Sequence, residues 1–353
     1  MISRNPITVL FDPQVFLLQR QGGISRYFAE IIKEFRVNPD LGINPLLETK
    51  SVLSEHALTE LADLELKRAP SLRSALFLLV TLILRGSSQS SDRAQLIHQT
   101  FYLPWFLGRH KLTPRAVTLF DMIPENTPRG FRLWNPHFIK RSYIRRASLV
   151  LSISDSSTKD MLREYNLSLD VPTTYLGVSA DFKPGLPRLA SQSCPYFLYV
   201  GNRRGYKDCQ TSIKAFSWIA KANPDLRLVL VGGGGLRGNE RKLIKKLGLS
   251  NRVEQISVSN GDLPSYYSNA VGLLYPTRYE GFGLPLVEAM ASGVPILASD
   301  IAINHEICAK AATYFSVGDS ERLASQMQQL LAAPQEFSGK IEFGLTRAKD
   351  FTW

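Results

Sequence analysis

Residues 279–300 read YEGFGLPLVEAMASGVPILASD, an apolar run interrupted by Gly281, Gly283 and Gly293 that carries Glu280 near its start and Glu288 within it. The apolar stretch before it, Val271 to Tyr275, reads as a buried strand and stops at Pro276, so Glu280 falls in the loop beyond the strand's carboxyl end. Proline suits the first turn of a helix, where its missing N–H has no partner to lose, and Pro285 therefore starts a helix near Leu284. Glu288 then lies close to that helix start, where the dipole alone favours an acid. The dipole does not explain Glu280, nor the glycines of Gly281-Phe282-Gly283-Leu284, whose backbone N–H groups are offered between the two carboxylates. Amides in that arrangement suit phosphate oxygens, and carboxylates suit vicinal hydroxyls.

Working outward, strand-like runs alternate with helical patterns along the chain, as parallel α/β units require. The expected strands are Ile7 to Asp12, Leu96 to Phe101, Ala116 to Asp121 and Leu149 to Ser154, then Tyr196 to Gly201, Leu226 to Gly232, Val253 to Val258, Val271 to Tyr275 and Pro295 to Ala298. Helical stretches include Ile24 to Phe35, Cys209 to Ala222 and Leu284 to Ala291. The 353 residues suit two domains, and the break is expected in Asp181 to Cys194 (DFKPGLPRLASQSC), which divides the chain into residues 1–183 and 184–353. Parallel sheets bind ligands beyond the carboxyl ends of their strands, so two such domains are expected to face each other across a cleft.

Two loops could hold a phosphate. Tyr196 to Gly201 runs into Asn202, Arg203, Arg204, Gly205, Tyr206 and Lys207 just before a helix start, where three cations oppose the dipole unless an anion is present. A solvated basic turn is the plainer reading. Further on, Gly233, Gly235 and Gly238 satisfy G-x-G-x-x-G, and Glu254 stands near the distance of a ribose-binding acid. That match follows the second strand of its domain, and Glu254 falls inside a strand, so a tight turn or a loop passing close to a nucleotide explains these glycines as well. In the first half, Gln21, Gly22 and Gly23 precede a helix after the first strand; they allow close backbone approach to a ligand or simply make a turn.

The net charge is +11, which points to anionic partners: nucleotides, phospholipid headgroups or phosphorylated acceptors. Nucleic acid is disfavoured, since zinc-finger, aromatic RNA-binding and basic-heptad patterns are missing from the sequence. Cys194, Cys209 and Cys308 have no paired spacing, which suggests neither a disulfide framework nor a zinc site and fits a cytoplasmic protein. The apolar segment Ala75 to Leu84 is too short to span a bilayer and reads either as a buried helix or as an element dipping into a membrane interface beside Arg73 and Arg85.

EGFGLPLVE from Glu280, continued by AMASGVPILASD, resembles the E-x7-E signature of retaining glycosyltransferases of family 4, which have the GT-B fold of two facing Rossmann-like domains and an inter-domain cleft. The likeness extends to GGISRYF from Gly22, VTLFDMIPE from Val117, SLVLSISDSSTKDM from Ser148, YLGV from Tyr175, YFLYVGNRRGYKD from Tyr196 and LVLVGGG from Leu228. It is strongest to bacterial sugar transferases of surface polysaccharide assembly, many of them mannosyltransferases. The resemblance implies that Glu288 holds the ribose hydroxyls, that Glu280 faces the transferred sugar, and that the amides of Phe282, Gly283 and Leu284 contact sugar and phosphate. It implies that Arg203, Arg204 and Lys207 neutralise the departing diphosphate, with Gly22 and Gly23 closing over it and Gly233 near the nucleotide. No metal or other cofactor is expected; the donor is a nucleotide-diphosphate sugar, GDP-mannose by family likeness, and the acceptor a glycan or a lipid-linked sugar at an anionic membrane surface.

Two positions depart from the family: Phe120 stands where many members carry a histidine, and Asn202 where many carry an arginine. Asp121 is expected either to contact acceptor or sugar or to cap the following turn. Relatives continue beyond the equivalent of Trp353 into a helix that crosses back to the first domain, so an ending there is expected to loosen closure. A nucleotide-sugar 2-epimerase and a non-catalytic scaffold share the architecture and stand as alternatives.

Overall fold

Apolar runs such as YFLYV (Tyr196–Val200) and RLVLV (Arg227–Val231) have no polar face to turn to water, which is the pattern of strands buried on both sides in a parallel sheet. The computed structural model describes residues 6–20, 22–47, 49, 51–71, 73–74, 76, 93–102, 113–126, 140–203 and 205–353. It forms two compact units, one running to Thr174 and including Trp353, the other spanning Tyr175–Thr352.

The first unit contains β1 (Ile7–Phe11), β2 (Ile43–Leu47), β3 (Ser51–Val52), β4 (Lys67–Arg68), β5 (Leu96–Gln99), β6 (Arg115–Leu119) and β7 (Leu149–Ser152). Five of them make one sheet in the order β2-β1-β5-β6-β7, parallel throughout, while β3 and β4 pair separately. Strand order reverses direction between β1 and β5, and the loops leaving their carboxyl ends are tied by Asp12. Its buried carboxylate accepts hydrogen bonds from the Thr100 amide and hydroxyl at 3.1 and 2.7 Å, and from the Gln14 amide and side chain at 3.0 and 3.1 Å. Above this sheet lies the amphipathic helix Gly23–Val37, which presses Tyr27, Phe28 and Ile32 into the core.

The second unit contains β8 (Tyr196–Val200), β9 (Arg227–Val231), β10 (Val253–Ile256), β11 (Gly272–Tyr275), β12 (Ile296–Ser299) and β13 (Ala312–Phe315). They form one parallel sheet in the order β10-β9-β8-β11-β12-β13. Read along the chain this is 3-2-1-4-5-6, the order in which a mononucleotide-binding half winds outward in each direction from its centre. Phe197, Tyr199, Leu228 and Leu230 from the strands meet Ile213 and Phe216 of the helix Cys209–Ala220 in its core. The stretch Asp181 to Cys194 packs within this unit: Phe182 lies edge-on to Tyr267, and the Leu186 amide donates to Ser268 Oγ at 3.0 Å.

All nine expected strands are present, with ends shifted by a few residues; β2, β3, β4 and β13 were not expected. The segment Ala75 to Leu84 lies outside the described residues except for Leu76. Among the described residues no helix is long and apolar enough to cross a membrane.

Candidate active site

In the second sheet the chain leaves the centre in opposite directions after β8 and β11, and the crevice between their carboxyl ends is where such sheets receive ligands. Two loops line it, residues 201–208 after β8 and residues 276–283 after β11. They are stitched together: the Arg278 amide donates to the Tyr206 carbonyl at 2.7 Å, and Arg278 Nη2 meets Asp208 Oδ2 at 2.8 Å. At the centre of the seam Lys207 Nζ donates to both oxygens of Glu280, at 2.6 and 2.8 Å. Glu280 is only 7% exposed, so its charge is compensated by this ammonium rather than by bulk water. The sequence placed both residues on these loops; the structure pairs them.

The helix Leu284–Ala291 begins immediately after. Its N-cap is Gly283 at φ +104°, with Pro285 in the first turn, and a glycine has no side chain with which to cap it. A Cβ at Gly283 would stand 3.0 Å from Leu286 Cδ1 and 3.3 Å from the Tyr275 hydroxyl, so only glycine suits both the backbone angle and the space. A helix start without a side-chain cap turns its first amides and the positive end of its dipole toward whatever occupies the crevice. Phe282 anchors the loop just before it, packed with Tyr175 and Phe351 at centroid distances of 6.0 and 5.9 Å. Glu288 is 3% exposed, and its Oε2 accepts a hydrogen bond from the Tyr267 hydroxyl at 2.8 Å. Glu280 and Glu288 thus bracket this helix start, as the spacing implied.

Arg203 is committed elsewhere. Its side chain is fully buried, and its guanidinium donates to Glu240 Oε1 at 3.2 Å, to the Gly234 and Gly235 carbonyls at 2.6 and 3.1 Å, and to the Gly232 carbonyl. It clamps the glycine loop after β9. Gly232, Gly233 and Gly234 all have φ between +71° and +86°, and a Cβ on Gly233 would lie 2.9 Å from Arg203 Nη1. Of the G-x-G-x-x-G match only Gly233 lies in this left-handed turn that receives an arginine; Gly238 opens the helix Gly238–Lys246. Asn202 lies between, its carbonyl accepting from the Tyr199 hydroxyl at 2.7 Å. Arg204 lies outside the described residues.

In the first unit, Gly22 is extended, with φ 173°, and Gly23 opens the helix Gly23–Val37. The side chain of Gln19 fills the space over Gly22, where a Cβ would meet Oε1 at 2.6 Å, and that oxygen accepts from the Ser25 amide at 3.3 Å. Asp121 Oδ1 accepts from the Ile123 amide at 3.0 Å, which is the capping alternative left open by the sequence. Below it Lys140, wholly buried, donates to the Asp121 carbonyl at 2.7 Å and to Glu125 at 3.0 Å. Phe120 sits in an aromatic cluster, 5.2 Å from Tyr27 and 5.8 Å from Phe28. Burial pushes Asp12 up to about 7 from its ordinary 3.8 and pulls His98 down to about 4.

Tyr267 and Arg278 escaped the sequence reading. The short helix that carries Tyr267, Leu263–Ser268, shows no periodicity that would single out one of its two adjacent tyrosines. Among the described residues no group of three His, Cys, Asp or Glu side chains stands together as a metal site would require.

The family model for glycosyl transferases group 1 matches residues 188–341, a span that includes both crevice loops and the helix after them. Over its wider length the chain is similar to O-antigen chain mannosyltransferase B of Escherichia coli, 29% identical over 72% of this chain and 69% of that one. It is also similar to the O-antigen chain mannosyltransferase RfbU of Salmonella typhimurium, 27% identical over 64% of each chain. The chain thus spans about two thirds of the length of these curated relatives. Among solved structures it is similar to Anabaena HepE in complex with UDP-glucose, with a TM-score of 0.75 at 18% identity over 98% of this chain and 95% of that one. WaaG, a glycosyltransferase involved in lipopolysaccharide biosynthesis, matches with a TM-score of 0.71 at 18% identity over 98% of this chain and 96% of that one. The fold is GT-B, and the matched residues 188–341 include the crevice described above.

Proposed function

We propose that the chain transfers a hexose from a nucleotide-diphosphate sugar to an acceptor hydroxyl, with retention at the anomeric carbon, in the assembly of a surface polysaccharide. The observation that carries this reading is the Lys207–Glu280 pair lying across the switch point of a 3-2-1-4-5-6 sheet, beside a helix start whose N-cap is a glycine. Negative charge grows on the leaving diphosphate as the sugar departs, and preorganised cations and amides aimed at that charge lower the barrier. Lys207 supplies the charge, with Arg204 assigned from sequence alone. Gly283 and Leu284 supply amides. Glu280 accepts from hydroxyls of the transferred sugar, and Glu288 from the ribose. Arg203 contributes indirectly, by shaping the turn after β9.

The names of the relatives favour mannose, and GDP-mannose is the donor we assign. The acceptor is a glycan or a lipid-linked sugar presented at an anionic membrane surface. Charge supports that surface: residues 67–146 carry fourteen Lys and Arg against three Asp and Glu, which accounts for the whole net charge of +11. Within that span the helix Lys140–Arg146 exposes Arg141, Arg145 and Arg146. Clustered cations of this kind are attracted to anionic headgroups.

The test is a transfer and hydrolysis assay with a panel of nucleotide sugars, with the anomeric configuration of the product read by NMR. Release of nucleoside diphosphate from GDP-mannose together with an α-linked product supports the proposal. Inversion at the anomeric carbon, or interconversion of the free nucleotide sugar without acceptor, contradicts it, and the latter outcome identifies an epimerase.

A further inference from the structure

The two carboxylates of the site are held in different ways. Glu280 is met by an ammonium, whereas Glu288 receives the hydroxyl of Tyr267, 2.8 Å from Oε2. Tyr267 is wholly buried on the helix Leu263–Ser268, which packs against the helix Leu284–Ala291 that carries Glu288. Its ring is fixed in turn: Phe182 lies edge-on to it at 5.5 Å with an interplanar angle of 75°. A tyrosine needs a partner for its hydroxyl when the ring is buried, and a nearly buried carboxylate needs a donor. Each satisfies the other. The consequence reaches past packing, because a hydrogen bond to one oxygen sets the rotation of the carboxylate about its last bond and so the direction in which it can accept from a ligand.

We propose that Tyr267 is a positioning residue for the nucleotide: through its hydrogen bond it orients Glu288 to accept from the vicinal hydroxyls of a ribose, and so sets the discrimination between ribose and deoxyribose in the donor. This rests on the reading of Glu288 in the proposed function and extends it to a residue on a different helix. A vicinal diol demands two acceptor directions at fixed separation, so rotation of the carboxylate weakens binding of the ribonucleotide and leaves the analogue lacking one hydroxyl less affected.

The experiment is calorimetric titration of GDP and UDP, and of their 2′-deoxy and 3′-deoxy analogues, into the wild type, Tyr267→Phe, Glu288→Gln and the double variant. Tyr267→Phe keeps the ring and its contact with Phe182, so packing is retained while the donor is lost. The ratio of ribo- to deoxynucleotide affinity is expected to fall about tenfold in Tyr267→Phe. The same ratio is expected to approach unity in Glu288→Gln, and the double variant to lose no more than Glu288→Gln alone. In turnover, the donor KM of Tyr267→Phe should rise by more than its kcat falls. An unchanged ratio in Tyr267→Phe, or independent losses in the double variant, overturns the positioning role. A wild type that binds nucleotides without distinguishing ribose from deoxyribose refutes the assignment of Glu288 instead, and a wild type that binds none refutes the proposed function itself.

Discussion

Replacing Lys207 by methionine removes the ammonium that compensates Glu280 and keeps most of the side-chain volume. The lysine side chain is 18% exposed and that of Glu280 6% exposed, so water replaces the lost partner poorly. Breaking a buried pair from one side costs about 3 to 5 kcal/mol, because an uncompensated charge is left behind. For a unit of this size each kcal/mol lowers the melting temperature by about 2 to 4 °C, so the second unit of Lys207→Met should melt about 6 to 20 °C lower than the wild type. Pairing Lys207→Met with Glu280→Leu removes both charges, and the double variant should lose less than Lys207→Met alone, since replacing a buried ion pair by apolar groups is close to neutral. Scanning calorimetry of the full chain, following the transition of the second unit, measures both numbers. A melting temperature of Lys207→Met within about 1 °C of the wild type, or single losses that simply add in the double variant, would show that the two side chains are not a pair and would remove the central element of the site.

Four further outcomes follow from the same structure. Turnover of Lys207→Met with a nucleotide-sugar donor should fall by about 2.7 to 4 kcal/mol in activation terms, on the order of a hundred- to a thousandfold, read by release of nucleoside diphosphate. Gly283→Ala forces a Cβ into left-handed backbone against Leu286 and should cost about 1 to 3 kcal/mol in denaturant titrations, with a matching loss of donor affinity. Arg203→Lys cannot reproduce a fork that reaches Glu240 and three carbonyls, and should destabilise the second unit by more than 1 kcal/mol while leaving the first unit's melting unchanged. In the first unit the pH dependences of two buried groups oppose each other. Asp12 binds its proton more tightly when folded, so its contribution is full below pH 3.8 and is lost as pH rises to about 7. His98 binds its proton less tightly when folded, so its contribution is full above pH 6.5 and is lost as pH falls to about 4. Asp12→Asn should therefore leave a first unit whose melting temperature rises steadily from pH 4 to 6.5, whereas the wild type changes less over that window.

Both sheets were legible because buried parallel strands write themselves as uninterrupted apolar runs. The helix after β11 was legible to the residue, since Gly283 and Pro285 fix where it starts. β2 was not, because Pro45 sits in the middle of INPLL and a proline argues against a central strand. In the structure β2 is the edge of its sheet, where a proline is tolerated. β13 is a four-residue edge strand with half-buried positions and too little pattern to stand out. At the site, the residues adjacent in sequence to the glycines were recoverable, while their partners were not. Nothing local distinguishes Arg203, which turns back to clamp the loop after β9, from Lys207, which crosses to Glu280. That choice is made by tertiary contact: the carbonyls of Gly232, Gly234 and Gly235 stand within reach of one and the carboxylate of Glu280 within reach of the other. Tyr267 was invisible for the same reason, as its partner lies on a helix beyond the next strand.

The most direct measurement is a crystal structure of the protein with GDP or UDP bound. The account predicts the diphosphate beyond the carboxyl ends of β8 and β11, against Lys207 and the amides of Gly283 and Leu284, with the ribose hydroxyls on Glu288. A diphosphate bound away from that crevice, with Lys207 still holding Glu280 and Glu288 untouched, contradicts it.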